Sequence, residues 1–182
     1  MKVPEPRITP LSKEEWTEEQ RKFLEPFYTT HLYNITGTFG RHWEASKKFG
    51  VWGTHILGPT CTLPPRDREI LILRTGWLCQ AEYEWAQHVP IGKSCGLTDA
   101  EIEQITQGPS DERWSSFDAA LLRAADELHA DTFIGDATWK ILSGRYNTEQ
   151  LMDVVFTVGQ YTLVSMALNT FGVQLDKGLK GF

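Results

Sequence analysis

The stretch Leu63-Pro64-Pro65-Arg66-Asp67-Arg68-Glu69-Ile70-Leu71-Ile72-Leu73-Arg74-Thr75-Gly76-Trp77-Leu78-Cys79 decides which kind of fold this chain adopts. By periodicity alone the apolar run 70–73 reads as well as a buried strand as it does as a helix. Length and start separate the two. The segment is longer than an ordinary strand. Pro64 and Pro65 suit the opening of a helix, where a missing N–H removes no hydrogen bond, and the acidic residues near this start favour the positive end of a helix dipole. The reading is a helix over 66–79, apolar around most of its circumference and therefore buried on most sides.

Working outward, the same kind of signal recurs along the chain. Residues 1–11 hold Pro4, Pro6 and Pro10 and read as an extended arm. Ser12 with Glu15 three residues on is a capping box, predicting a helix that carries Trp16, Phe23 and Leu24 and ends near Pro26. Residues 36–56 space Phe39, Trp43, Phe49, Trp52 and Ile56 helically, broken by Gly40, Gly50 and Gly53, which gives two short helices or one interrupted one. After the central helix come a helix over 82–95 closed by Gly96 and a short one capped by Thr98 and Glu101. Helices over 116–130 and 137–146 follow, then a long last helix opened by Asn147 and Gln150. No alternating strand pattern and no internal repeat is present. The expectation is an all-α chain forming one domain over 1–182. Residues 1–60 are its N-terminal arm and helices, and residues 61–182 are its core.

Composition narrows the function classes. A net charge of −6 with no basic run argues against nucleic acid or an anionic membrane as the main partner. No apolar stretch is expected to approach the roughly 20 residues of a membrane span, and the polar, proline-bearing start is unlike a signal peptide, so the expected location is cytoplasmic. Cys61, Cys79 and Cys95 are odd in number, widely spaced and without a C-x-x-C pair, which is no disulfide framework. Seven tryptophans point to a large aromatic core, a lined pocket or a subunit interface.

The densest polar cluster is Gln80-Ala81-Glu82-Tyr83-Glu84-Trp85-Ala86-Gln87-His88. Glu84 and His88, four apart, share one helix face. A carboxylate beside an imidazole fixes the tautomer and raises the basicity of the ring, a pair suited to moving protons near neutral pH. Glu69 enters an apolar run one helix earlier, where a charge is costly without a partner; antiparallel packing would return it to the same face. A solvated surface pair and a first-turn helix-dipole carboxylate are the plain alternatives. A metal held by Glu69, Glu84 and His88 is chemically possible, yet no second histidine falls at ligand spacing, so no metal is expected. His31, His42, His55 and His129 have no partner at informative spacing and read as structural or exposed.

Two segments carry a family resemblance: 63–74, reading Leu-Pro-x-x-x-Arg-Glu before an apolar helix, and 81–88, reading Ala-Glu-Tyr-Glu-Trp-Ala-Gln-His. Together they resemble the core motif of the carboxymuconolactone decarboxylase/AhpD-like superfamily, and residues 156–169 resemble its closing helix, so the likeness spans roughly 63–175. AhpD-type peroxidases carry a glutamate and then C-x-x-C-x-x-x-His. Aligned on His88, that glutamate is Glu69, and the two redox cysteines fall on Ala81 and Glu84, so both thiols are absent. The decarboxylase branch carries glutamates near Glu82 and Glu84 with the histidine, which this chain matches better while also keeping Glu69.

The resemblance implies an AhpD-like helical core with a helical N-terminal extension. It implies a lyase or isomerase without cofactor, acting by proton transfer on a small carboxylated or lactone metabolite. His88 would be the general acid/base, Glu84 its orienting or proton-sharing partner and Glu69 an extension of the relay. Candidates to contact substrate are Glu82, Tyr83, Trp85, Arg74 and Asn169. For Tyr83 and Trp85 the plain reading is core, for Arg74 a pairing with Glu69 or Asp67, and for Asn169 a bond to a neighbouring helix. A homo-oligomer, trimer or hexamer, is implied too. The competing functions are an AhpD-like peroxidase using Cys79 or Cys95 in a nonstandard way, and a non-catalytic ligand-binding oligomeric scaffold.

Overall fold

The computed structural model describes residues 3–25 and 32–182. Nine α-helices lie among the described residues: α1 (Glu18–Leu24), α2 (Asn34–Phe39), α3 (Trp43–Leu57), α4 (Pro65–Leu78), α5 (Glu82–Ser94), α6 (Asp99–Gln107), α7 (Ser116–Asp131), α8 (Asp136–Ser143) and α9 (Thr148–Phe171). No strand occurs among those residues. The fold is all-α, with helices α1 to α3 ahead of the core as an N-terminal extension.

The ambiguous stretch is α4, and it is the central element. Every residue from Asp67 to Gly76 is buried, with α5, α6, α7 and α9 packed around it. Ile70, Leu71 and Leu73 join Leu121, Leu122 and Ala125 of α7 and Val154 and Val158 of α9 in the main core, while Ile72 faces Ile56 of α3 and Tyr161 of α9. A helix with apolar neighbours on every side has no polar face to preserve, which is why its run shows no helical period.

The turn from α4 to α5 sets the site. Gln80 adopts a left-handed conformation, φ 51°, and Ala81 N–H donates to the Gly76 carbonyl at 2.9 Å, closing α4 as a tight reversal. The chain returns antiparallel, and Gly92 lets it return close: a Cβ there would stand 3.1 Å from Leu97, 3.2 Å from Leu73 and 3.8 Å from the Cβ of Glu69.

The start of the chain departs from the sequence expectation. Ser12 and Glu15 do form a capping pair, with Ser12 N–H donating to the Glu15 carboxylate at 2.9 Å, but the element they open is a single 3₁₀ turn, Lys13–Glu15. Trp16 is extended, and α1 starts afresh behind Thr17, whose hydroxyl accepts from Gln20 N–H while the Gln20 side chain accepts from Thr17 N–H. Two competing capping boxes five residues apart cannot both lie in one helix, since each needs a non-helical residue at its head. The predicted end near Pro26, and His31, lie outside the described residues. The interrupted helix over 36–56 is resolved as α2, a 3₁₀ turn (Gly40–His42) and α3.

The proline-rich arm lies along the end of α9. Arg7 and Ile8 N–H both donate to the Phe171 carbonyl, at 2.8 and 3.1 Å. Gly172 ends α9 at φ 69°, and a Cβ on it would meet the Glu5 carbonyl oxygen at 2.9 Å, so both the left-handed cap and the close approach of the arm require glycine.

One expectation about membranes is corrected. α9, at 24 residues with a mean hydropathy of 1.4 over its most apolar window, is long and apolar enough by length and composition to cross a bilayer. More than half of that window, 56%, is buried inside the chain, which accounts for the hydropathy as that of a core helix.

Candidate active site

Glu69, Glu84 and His88 meet. His88 Nδ1 is 2.7 Å from Glu69 Oε2, and its Nε2 is 2.9 Å from Glu84 Oε1. All three side chains are buried, Glu69 completely. A fourth group, absent from the sequence reading, completes the shell: the Tyr161 hydroxyl of α9 lies 3.1 Å from His88 Nε2, with the two rings edge to face at 5.0 Å and 86°. A fifth, Arg68, donates from Nε to Glu69 Oε1 at 3.4 Å. Two carboxylates, one guanidinium and one protonated imidazole sum to no net charge, which makes burial of the set tolerable.

The electrostatics follow. Burial pushes the His88 imidazole down, but the Glu84 charge and the hydrogen bonds to Glu69 and Glu84 outweigh it and hold the ring up at about 9. Near neutral pH both ring nitrogens therefore carry protons: Nδ1–H donates to Glu69, and Nε2–H, beside the Glu84 carboxylate, donates to the Tyr161 oxygen. Tyr161 is pushed well above the ordinary phenol range by burial and then by the charges of Glu84 and Glu69, so it keeps its proton. With His88 Nε2–H donating, the Tyr161 oxygen acts as acceptor and its own O–H is left over for another partner.

That partner has room. A cavity of about 230 Å³ is walled on one side by Glu84, His88, Gln160 and Tyr161, and on the other by apolar side chains including Ile35, Phe49, Ile56 and Leu57. Helices α2 and α3, read from sequence as an extension, thus supply part of the cavity wall: Ile35, Phe49, Gly53, Ile56 and Leu57. Glu69 and Arg68 do not line it; they stand behind His88.

The remaining candidates disperse. Tyr83 touches the cavity, but its hydroxyl donates to Asp176 and accepts from Gln87 at 3.1 Å, and burial with the Asp176 contact raises its pKa. Trp85 is core: it packs on Trp77 at 5.6 Å and Phe182 at 5.8 Å and is absent from the cavity wall. Glu82 and Asn169 line a different, larger cavity of about 510 Å³ with Gln80, Val3 and Phe182, and Asn169 Nδ2 donates to the Cys79 carbonyl at 2.9 Å.

Arg74 lines neither of these two cavities and pairs with neither Glu69 nor Asp67. It forks onto Asp126 of α7 at 2.6 and 3.1 Å and donates to the Ile105 and Thr106 carbonyls at the end of α6, a structural clamp. Of the other histidines, His55 is not isolated: its Nε2 lies 3.1 Å from Asp153 and its Nδ1 2.9 Å from Thr60. His129 Nδ1 lies 3.7 Å from Cys79 Sγ. Burial pushes the Cys79 and Cys61 thiols up. Among the described residues no three His, Cys, Asp or Glu side chains are arranged to hold a metal ion.

The comparisons agree with this architecture. The Carboxymuconolactone decarboxylase family matches residues 43–127, beginning earlier and ending sooner than the motif likeness at 63–175, so it takes in α3 and stops before α9. No curated protein sequence is a significant match. Among solved structures, an uncharacterized peroxidase-related protein with an alkylhydroperoxidase AhpD core from Ralstonia eutropha JMP134 superposes with a TM-score of 0.79 at 15% identity, covering 93% of each chain. The debrominase Bmp8, in complex with 2,3,4-tribromopyrrole, gives 0.76 at 13% identity over 93% of this chain and 91% of that one. A putative antioxidant defence protein AhpD from Agrobacterium tumefaciens gives 0.67 at 18% identity over 73% and 91%. Residues 43–127 are therefore similar to the carboxymuconolactone decarboxylase family, and the fold is that of the AhpD-like structures.

Proposed function

We propose that this protein is a proton-transfer enzyme without cofactor, a lyase or isomerase acting on a small carboxylated or lactone metabolite in the cavity beside His88. The observation that supports it is the histidine itself: buried, with a carboxylate beside each ring nitrogen, and standing at the wall of a mostly apolar cavity. Such a ring, protonated near neutral pH, is an acid, and the base role passes to the Glu84 carboxylate, which shares the wall and is in contact with the ring. Tyr161 O–H is placed to stabilise charge developing on a substrate oxygen. Glu69, which does not touch the cavity, is a positioning residue that fixes the ring.

A thiol peroxidase is the weaker reading. It needs an attacking thiolate and a resolving sulfur, whereas burial raises Cys61 and Cys79 and the two superfamily cysteine positions are Ala81 and Glu84. We also propose a homo-oligomer, trimer or hexamer. α9 exposes Met152, Val155, Phe156, Leu163 and Met166, a stripe at helical spacing along its whole length with Gly159 open in the middle, which suits a second copy of the chain.

The test is deuterium exchange from D2O into a panel of small lactones, ketones and acids, followed by NMR. His88→Gln, checked for fold by circular dichroism, should abolish exchange. Full exchange in that variant, or hydroperoxide consumption with dithiothreitol that vanishes when all three cysteines are replaced by serine, would overturn the proposal.

A further inference from the structure

Gln87 and Gln160 are polar side chains of the cavity wall that the mechanism above does not use. Gln160 is 7% exposed, sits next to Tyr161 on α9 and lines the cavity. The neighbouring amide, Gln87, spends its donors on Tyr83 and Asp176. Gln160 is different. Among the described residues its amide makes no hydrogen bond, although burying an amide without a partner costs a few kcal/mol, roughly 1–3. Its atoms are also not sealed off like those of Thr157 or Ser165 on the same helix, whose hydroxyls are enclosed and unpaired. A buried amide facing a cavity without a protein partner is a group waiting for a ligand.

The charges around the cavity say what kind of ligand. Among the described residues no lysine or arginine lines it. Arg68 is committed to Glu69 behind the ring, and the positive charge of His88 is spent on Glu69 and Glu84. Glu84, on the wall, is a carboxylate itself. An anionic ligand would enter a mostly apolar space beside a negative charge with no free cation to meet it, which is the arrangement that disfavours it. An uncharged ligand meets two free donors in adjacent positions, the Tyr161 O–H and the Gln160 amide N–H.

We infer that the cavity selects a small uncharged carbonyl compound, a lactone or ketone, over a carboxylate, with Gln160 as the residue that binds its oxygen. The inference rests on the proton-transfer reading and narrows it from a lyase or isomerase to an isomerase. Glu84 removes a proton from the carbon next to the carbonyl. The C–H electrons form the enol double bond, and the carbonyl oxygen gains negative charge against Tyr161 and Gln160. A proton, exchangeable with solvent while it is held on Glu84, is returned to a second carbon, so the double bond moves and the composition of the compound is unchanged.

Two probes of similar size separate the possibilities: cyclopent-3-enone, uncharged and able to move its double bond into conjugation, and cyclopent-3-ene-1-carboxylate. Binding is read by NMR titration and chemistry by deuterium uptake and the absorbance of the conjugated enone. The ketone should bind at least about tenfold more tightly than the acid, and Gln160→Leu should weaken the ketone about tenfold, the worth of one hydrogen bond in a buried site, while leaving the His88 titration unchanged. Tighter binding of the acid, or of neither probe, overturns the inference, as does a Gln160→Leu protein that binds the ketone unchanged. Ketone binding without proton exchange would instead defeat the proton-transfer reading and leave the selectivity standing.

Discussion

Nδ1 of His88 lies 2.7 Å from Oε2 of Glu69, two residues nineteen positions apart on antiparallel helices, and the contact fixes how the protein should respond to pH. The ring titrates at about 9 in the folded chain against about 6.5 in an unfolded one. A raised pKa contributes stability that is fully present below about pH 6.5 and is lost as pH rises through about 9, a difference on the order of 3 kcal/mol. Urea denaturation of the native chain should show its midpoint falling across that window, and in Glu69→Gln the His88 titration, followed by NMR, should drop by about one to two units. A midpoint independent of pH between those limits would mean that the ring is not held by its carboxylates.

Tyr161→Phe keeps the edge-to-face packing on His88 and removes only the hydroxyl. The fold and the thermal midpoint should hold to within about 1 kcal/mol, the usual net worth of a hydrogen bond. Proton exchange on cyclopent-3-enone should fall on the order of a hundredfold, as for the loss of one donor to a developing oxyanion. Equal exchange in the variant would remove Tyr161 from the chemistry and leave it as a packing residue.

Arg74→Met separates structure from function in the opposite direction. Its partner Asp126 would be left half-buried and unpaired and the α6 carbonyls would lose their donor, at a cost of about 2–4 kcal/mol. Chemical denaturation should register that loss while ligand binding and the His88 titration stay as in the native chain. A selective loss of ligand affinity with unchanged stability would restore the substrate role that the sequence suggested.

Leu163→Glu combined with Met166→Glu places two charges on the exposed face of α9, where neither native side chain belongs to the core. Sedimentation velocity should show an oligomer for the native chain and a smaller species for the variant, with helicity retained. An identical sedimentation coefficient for the two would locate any subunit contact elsewhere.

The sequence alone determined what depends on neighbours in the chain. The helices over 66–79, 82–95 and 116–130, the cap of Thr98 with Glu101 and that of Asn147 with Gln150 are local contests between backbone and nearby side chains. The sharing of one face by Glu84 and His88 is set by helical pitch alone. The first helix went astray because two capping boxes competed within a few residues, and no local rule ranked them. Only the tertiary structure decided the rest. Glu69 reaches His88 because the Gln80 reversal and Gly92 bring α5 back against α4. Tyr161 and Gln160 enter the site from a helix more than seventy positions away, where their only mark in the sequence is two polar residues within an apolar stretch. Arg74, with several carboxylates closer in sequence, found Asp126 because α7 packs on α4. Spacing along a helix is fixed by the covalent chain, but which helix faces which is set by burial summed over the whole core, and no single segment encodes that sum.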